Sequence, residues 1–335
     1  MGFPALRLTQ VAFDNVYKFL DVPEIILLSQ CSRSMEDLVK SKEDPRKGRQ
    51  VVVEFYRDFV EVTIMKKIPA FPILRQFRWG IYQPRILPSG KFIEVNGISG
   101  KTVKCANVHR EWFSVSKRGY FEKDLLCVIT MLRDLFNCSI ANIDFYHDDV
   151  LKGYCFHKLF VETDALRRAD SIFVDESWLE PKVMDFIFDH FITDDLTFKG
   201  HVRDDYSYRN PLNFPSIFLR YAPWINLEKL LEMSKTGRHI TLCETKLISD
   251  KDINQFLKTW LSSDNKTLKS VKLARDQSSQ NEVAIMEGIA FKKRDIDSSF
   301  VRTELNIIRK DGAHATILVK NFGELVISFD QTQMK

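Results

Sequence analysis

Hydrophobic and polar positions follow a helical rhythm near the start of the chain and a strand rhythm after it. Phe13, Val16, Tyr17 and Leu20 fall at i, i+3, i+4 and i+7, one face of a helix. Asp21 then offers an N-cap, and Glu24 three residues on completes a capping-box pattern. Pro23 sits in the first turn, where its missing N–H does no harm. Ile25 and Leu28, with Cys31 or Ser32, continue a second apolar stripe, and Met35, Leu38 and Val39 form a third. Three short helices within residues 6–40 are too small a set to bury their own apolar surface, since units below about 40 residues usually need outside help. The oily stretch "DVPEIILLSQCSRS" from Asp21 to Ser34 must therefore be covered by the rest of the chain or by another protein.

"KSKEDPRKGRQ" at residues 40–50 is charged, carries a Pro and a Gly and has no apolar period, so residues 41–50 read as a linker. After it the alternation becomes that of strands. "QVVVEFYRDFVEVTIM" predicts a hairpin around Arg57-Asp58, and "KFIEVNG" and "WFSVS" predict further short strands. A helix is predicted over 123–136, with Leu125, Ile129, Leu132 and Phe136 on one side. Strands then begin at Ile140, Ser171, Asp195, Arg238 and Leu268, with helices over 181–191, 226–234 and 249–261. "RDDYSYRNPLNFP" reads as a loop, and Asp311-Gly312 as the turn of a closing hairpin. The expected class is α+β / α/β: a small three-helix unit at 1–40, a strand-rich region at 51–137, and a mixed strand–helix domain at 138–335. Irregular leucine-rich-like repeats are expected in that domain, although the strict leucine spacing is absent.

Composition narrows the function classes. With 335 residues, 44% of them hydrophobic, and 26 Phe against 13 Gly, the chain has ample material for packed cores. The net charge of +4, from 49 basic and 45 acidic residues, lacks the excess of a dedicated nucleic-acid binder. The six cysteines form no C-x-x-C pair and lie mostly in apolar stretches, as expected of free thiols in an intracellular setting, cytoplasmic or nuclear. The opening "MGFPALRLTQ" lacks a signal-peptide layout, Leu6 stands where myristoylation needs Ser or Thr, and no apolar run approaches a membrane span. In such a chain the sequons at Asn137 and Asn265 are expected to be chance matches.

Catalytic chemistry is not encoded in recognisable form. "GISGKT" lacks the leading glycine of a phosphate loop, because Val95 stands there, and reads as a turn between strands. His190 belongs to a largely apolar helix, and Cys155 with His157 is a short-range pair on one stretch. His147-Asp148-Asp149 lacks further ligands at metal spacing. The basic clusters "RKGR" and "FKKR" are short and flanked by acids, as solvated faces are. The chain is expected to be non-enzymatic, with no cofactor and no metal.

The N-terminal segment resembles an F-box. Leu8-Thr9, then Phe13, Val16 and Leu20, then "Pro23-Glu24-Ile25", Leu28 and "Cys31-Ser32-Arg33" stand where that motif has its Leu-Pro start and its two apolar segments, with Thr9 replacing the usual proline. "HITLCETKLISDKDINQFLKTWLSSDNKTLKSVKL" resembles the F-box-associated domain of the large nematode F-box families. Trp260, the turn at Asn265, and Leu268, Val271 and Leu273 match, with Asn265-Lys266 in place of Asn-Pro. "IIRKDGAHATILV" is similar to that family's closing hairpin, and the stretch near 60–165 is unmatched. The resemblance implies a substrate receptor of a Skp–cullin–F-box ubiquitin ligase, whose N-terminal helices bind a Skp-type adaptor, and through it a cullin. The remainder would hold a target protein. On that footing Leu8, Val16, Leu20, Pro23, Ile25 and Leu28 are expected to carry the adaptor contact. The alternative is a repeat-type interaction scaffold outside any ligase.

Overall fold

The computed structural model describes residues 9–42, 49–57, 59–68, 71–82, 92–96, 102–108, 111–115, 121–146, 160, 166–175, 177–275, 280–294 and 300–330. They divide into two compact units, Met1–Asp170 and Ser171–Lys335. The class is mixed α/β, with eight α-helices among the described residues.

In the first unit, α1 (Gln10–Tyr17), α2 (Val22–Ser29) and α3 (Arg33–Lys42) follow one another closely. Each start has a local cause. Thr9 Oγ1 accepts the Ala12 N–H at 3.3 Å. Asp21 and Glu24 exchange bonds of 3.1 and 2.8 Å as the capping box predicts. Ser32 Oγ accepts the Met35 N–H at 3.1 Å. Phe13, Tyr17, Val22, Ile25, Ile26, Met35 and Val39 are buried. The chain's own α4 (Phe121–Phe136) takes part in that burial, because α3 packs against it.

The strands of this unit are β1 (Arg49–Phe55), β2 (Phe59–Ile68), β3 (Phe71–Tyr82), β4 (Phe92–Asn96), β5 (Thr102–Val108), β6 (Glu111–Val115) and β7 (Ile140–Phe145), in sheet order β7-β1-β2-β3-β6-β5-β4. β1 and β2 form the expected antiparallel hairpin, with Val53 opposite Val62. The buried side of α4 is wider than its sequence stripe: Val128, Met131 and Leu135 join Leu125, Ile129, Leu132 and Phe136. The reason is that α4 is covered twice, by β1–β3 and by α3. Glu54 stands opposite both Glu61 and Asp144 across three neighbouring strands. Arg78 pairs with Glu61. Burial, and then the charge of Glu54, push the Asp144 carboxyl up to about 6.

The second unit holds the larger part of β8 (Arg168–Val174), then α5 (Pro181–His190), β9 (Ile192–Phe198), β10 (Ser216–Leu219), α6 (Leu227–Thr236), β11 (His239–Cys243), α7 (Asp250–Ser262), β12 (Ser270–Ala274), α8 (Glu282–Met286), β13 (Lys292–Arg294), β14 (Val301–Ile308), β15 (His314–Lys320) and β16 (Glu324–Asp330). Strands β9 to β12 are parallel and lie side by side in chain order. Right-handed crossovers between such neighbours place α6 and α7 on one face. Beneath them one buried row runs straight across the sheet: Leu196, Ile217, Ile240, Val271, Ile327, Ile317 and Leu305. β10 is absent from the sequence expectation. Its four residues are too few for a period to show, and parallel pairing on both sides is what makes it a strand. The β9–β10 connection has no helix, so the strand–helix units are unequal, and no leucine-rich repeat is established by this arrangement. The closing hairpin turns at Gly312, whose φ of 85° is the left-handed conformation a glycine adopts freely.

Candidate functional site

Two surfaces, one in each unit, stand out among the described residues. On the N-terminal helices, Phe19 is 88% exposed, Val11 70%, Val16 49% and Leu27 39%, and Leu20 and Leu28 are half-buried. Phe19 lies just past α1, where its N–H still reaches the Val16 carbonyl at 3.0 Å. Of the residues expected to meet an adaptor, Val16, Leu20 and Leu28 stand on or beside this outer face. Pro23 and Ile25 are buried inside the unit, Ile25 to 1% exposure, and Leu8 lies outside the described residues. The stripe argument does not single out Phe19, Val11 and Leu27, which the structure leaves exposed. A signal was present for Leu27: "IILL" is apolar on every side of its helix, so one side always remains for something other than the helix's own neighbours.

In the second unit an open groove of about 1370 Å³ runs between α6 and α7 and along the turn that follows α7. Its walls are fixed from the sequence upward. Asn226 caps α6 by accepting the Lys229 N–H at 2.9 Å. Lys229 Nζ donates to the Asn210 carbonyl at 3.0 Å and to Glu232 at 2.7 Å, tying the 199–215 loop to the helix. That loop is strapped to α5 by Tyr206 on Asp185 and Tyr208 on Asp189, both at 2.7 Å. The bond from Tyr208 holds the Asp189 carboxyl below its ordinary range. At the far end of α6, Gly237 is required: a Cβ there would stand 2.9 Å from the Met233 carbonyl oxygen.

The turn after α7 is equally constrained. Asn265 Oδ1 accepts the Thr267 N–H at 2.8 Å and the Leu268 N–H at 3.1 Å, while its Nδ2 donates to the Ser234 carbonyl at 2.6 Å. That amide is engaged on both sides, which leaves its sequon structural in use. Arg309, 4% exposed, donates to the Asn265 carbonyl at 2.9 Å and to both oxygens of Asp311 at 2.8 Å. The Arg309 guanidinium beside it holds Asp311 down at about 2. Its carbon sits 4.9 Å from the ring centroid of Trp260, whose indole packs on Phe329 at 4.8 Å. Trp260 therefore earns its match to the family pattern as the hub joining α7 to the closing hairpin.

The other sequence candidates are less productive. His190 lies with its ring tilted against that of Phe186 within α5, the centroids 4.7 Å apart. Burial pushes the Cys243 thiol up, away from thiolate. Lys293 of "FKKR" pairs with Glu282 at 3.4 Å, and Arg49 of "RKGR" lies 5.1 Å over the Phe136 ring. Residues 97–101 of "GISGKT", Cys155, His157 and 147–149 lie outside the described residues. Among the described residues there is no group of three His, Cys, Asp or Glu placed to hold a metal ion, and no helix long and apolar enough to cross a membrane.

A family model described as F-box associated matches residues 210–273, the segment from before β10 through α6, β11 and α7 to β12. All but two of the residues lining the groove, Tyr208 and Arg209, belong to that segment. No curated protein and no solved structure matches the chain.

Proposed function

We propose that this chain is the target-recognising subunit of a Skp–cullin–F-box ubiquitin ligase, acting in the cytoplasm or nucleus. The observation that carries the reading is the F-box-associated match over 210–273, the same segment that builds the groove. The N-terminal helices support it by leaving Val11, Val16, Phe19 and Leu27 in water, apolar surface that a Skp-type adaptor would cover. In this reading Val16, Leu20 and Leu28 meet the adaptor together with Phe19. Pro23 and Ile25 hold the helices from inside, and Leu8 belongs to the same contact. The C-terminal unit holds the target, and ubiquitin transfer is the work of other subunits.

Capture of the full chain by purified adaptor tests this. Phe19→Asp is expected to weaken capture by about 2 kcal/mol or more, because the added carboxylate is desolvated without a partner. Its melting temperature should not move, since Phe19 is in water already. Undiminished capture removes the adaptor face from the reading.

A second reading, a protein-interaction scaffold outside any ligase, draws on a specific observation. The N-terminal helices share a compact unit with the strands that follow, and α3 packs on α4. It predicts that no adaptor binds the unaltered chain.

A further inference from the structure

The groove between α6 and α7 has a charged rim that the fold does not neutralise. Lys229 is already paired with Glu232. Lys235, Arg238, Lys266 and Lys269 are exposed and pair with no acid among the described residues. They sit on two turns that are bonded together: Lys269 N–H donates to the Arg238 carbonyl at 2.7 Å, and Asn265 Nδ2 to the Ser234 carbonyl at 2.6 Å. Lys235 and Lys266 line this end of the groove, and Arg238 and Lys269 stand on the same two turns just beside it. Across residues 234–240 and 262–270 Asp264 is the one acid, while Glu228 and Glu232 line the groove further along α6. Asp311 is held by Arg309, and Asp330 follows Phe329, whose N–H donates to the Lys269 carbonyl. Arg209, also exposed, adds a cation on the wall formed by the 199–215 loop, and Glu228 on α6 adds an anion to the same lining. Between these charges, half-buried Leu227 and Leu231 line the groove.

We propose that this groove receives an acidic, extended segment of a protein partner, with carboxylates at Lys235 and Lys266 inside it and at Arg238 and Lys269 on the turns beside it, and an apolar side chain against Leu227 and Leu231. The inference rests on the target-holding role assigned above to the C-terminal unit, and it names the chemistry of the target. Size favours a polypeptide: the volume of about 1370 Å³ exceeds the roughly 300–1,000 Å³ of small-molecule sites. A nucleic acid fits worse, because Phe256 and Trp260 are buried and offer no face for base stacking. The backbone of the two turns is held before any partner arrives, by Gly237 on one and the Asn265–Arg309 bond on the other, so binding has only the exposed side chains left to order.

The test is fluorescence anisotropy on the full chain with a labelled peptide of Glu and Asp carrying two leucines, its Gln and Asn counterpart, and oligothymidylate. The acidic peptide is expected to bind, to weaken as salt rises, and to lose about ten-fold in affinity in the Lys235→Glu/Lys266→Glu variant. Lys269→Gln, which adds no repulsion, should give a smaller loss in the same direction, and guards against a misfolded double variant. Equal binding of the two peptides, no binding of the acidic one, unchanged affinity in both variants, or tighter binding of oligothymidylate would each overturn the proposal. Adaptor capture by the same preparations separates the two claims. Capture without acidic-peptide binding removes this inference alone, whereas acidic-peptide binding without capture removes the ligase reading and leaves the groove assignment in place.

Discussion

The α1–α3 set and the α6–α7 pair start from similar local chemistry and end with opposite surfaces. Both contain a capping box, Asp21 with Glu24 in one and Ser249 with Asp252 in the other. Both bury one apolar stripe. The α6–α7 pair lies on a broad sheet whose buried row crosses seven strands, so its apolar side chains find a floor and its outer rim is left to Lys, Arg and Glu. The N-terminal helices have a smaller floor, shared among themselves and α4, and Phe19, Val11 and Val16 remain outside. What a surface helix offers a partner is thus the remainder after its own sheet has been served. An apolar remainder suits an apolar partner, and a basic remainder suits an acidic one.

The sharpest way to break this comparison is to exchange inner for outer positions. Ile25→Ala should destabilise the first unit by about 2–5 kcal/mol, as loss of a fully buried aliphatic does, whereas Phe19→Ser should cost less than about 0.5 kcal/mol. Chemical denaturation of the two variants measures both, and equal losses would erase the distinction between the inner and outer faces.

Acid should also separate the units. Asp144 is held near 6 in the folded first unit against an ordinary value near 4. The folded form therefore binds more protons between those values, and stability falls as pH rises through that window. The cost at neutral pH is at most about 3 kcal/mol, and Asp144→Asn should abolish the pH trend. In the second unit Asp189 and Asp311 are held low by Tyr208 and Arg309. Their contribution is present above the ordinary carboxylate range and is lost as pH falls below it. Melting curves at pH values from about 3 to 7 should show opposite slopes for the two units. Among the destabilising changes the smallest is expected from Gly237→Ala, about 1–3 kcal/mol in the second unit, because the new Cβ meets a backbone oxygen that cannot move freely. If that variant melts normally, the α6–β11 turn is not the rigid wall described here.

Much of this molecule is legible from local sequence, because the relevant energies are local. The capping box at Asp21, the hairpin around Arg57, the long helix ending at Phe136, the Ser249 N-cap and the Gly312 turn all follow from neighbours a few residues apart. The family likeness of the α7 region was legible too, through Trp260 and the turn at Asn265, and it coincides with the segment the F-box-associated model matches. Periodicity could not rank the apolar residues of α2. It placed Ile25 with Leu28, yet Ile25 is sealed inside and Leu28 is only half-covered.

Sequence alone determined most of the helices, the hairpin turns and the absence of recognisable catalytic motifs, since each depends on short-range sterics and hydrogen bonding. Only the tertiary structure decided which apolar side chains stay in water, that Ser216–Leu219 is a strand, and that the cations of two distant turns meet on one rim. Those outcomes depend on which surfaces the sheet has already buried, a long-range sum that no window of sequence contains.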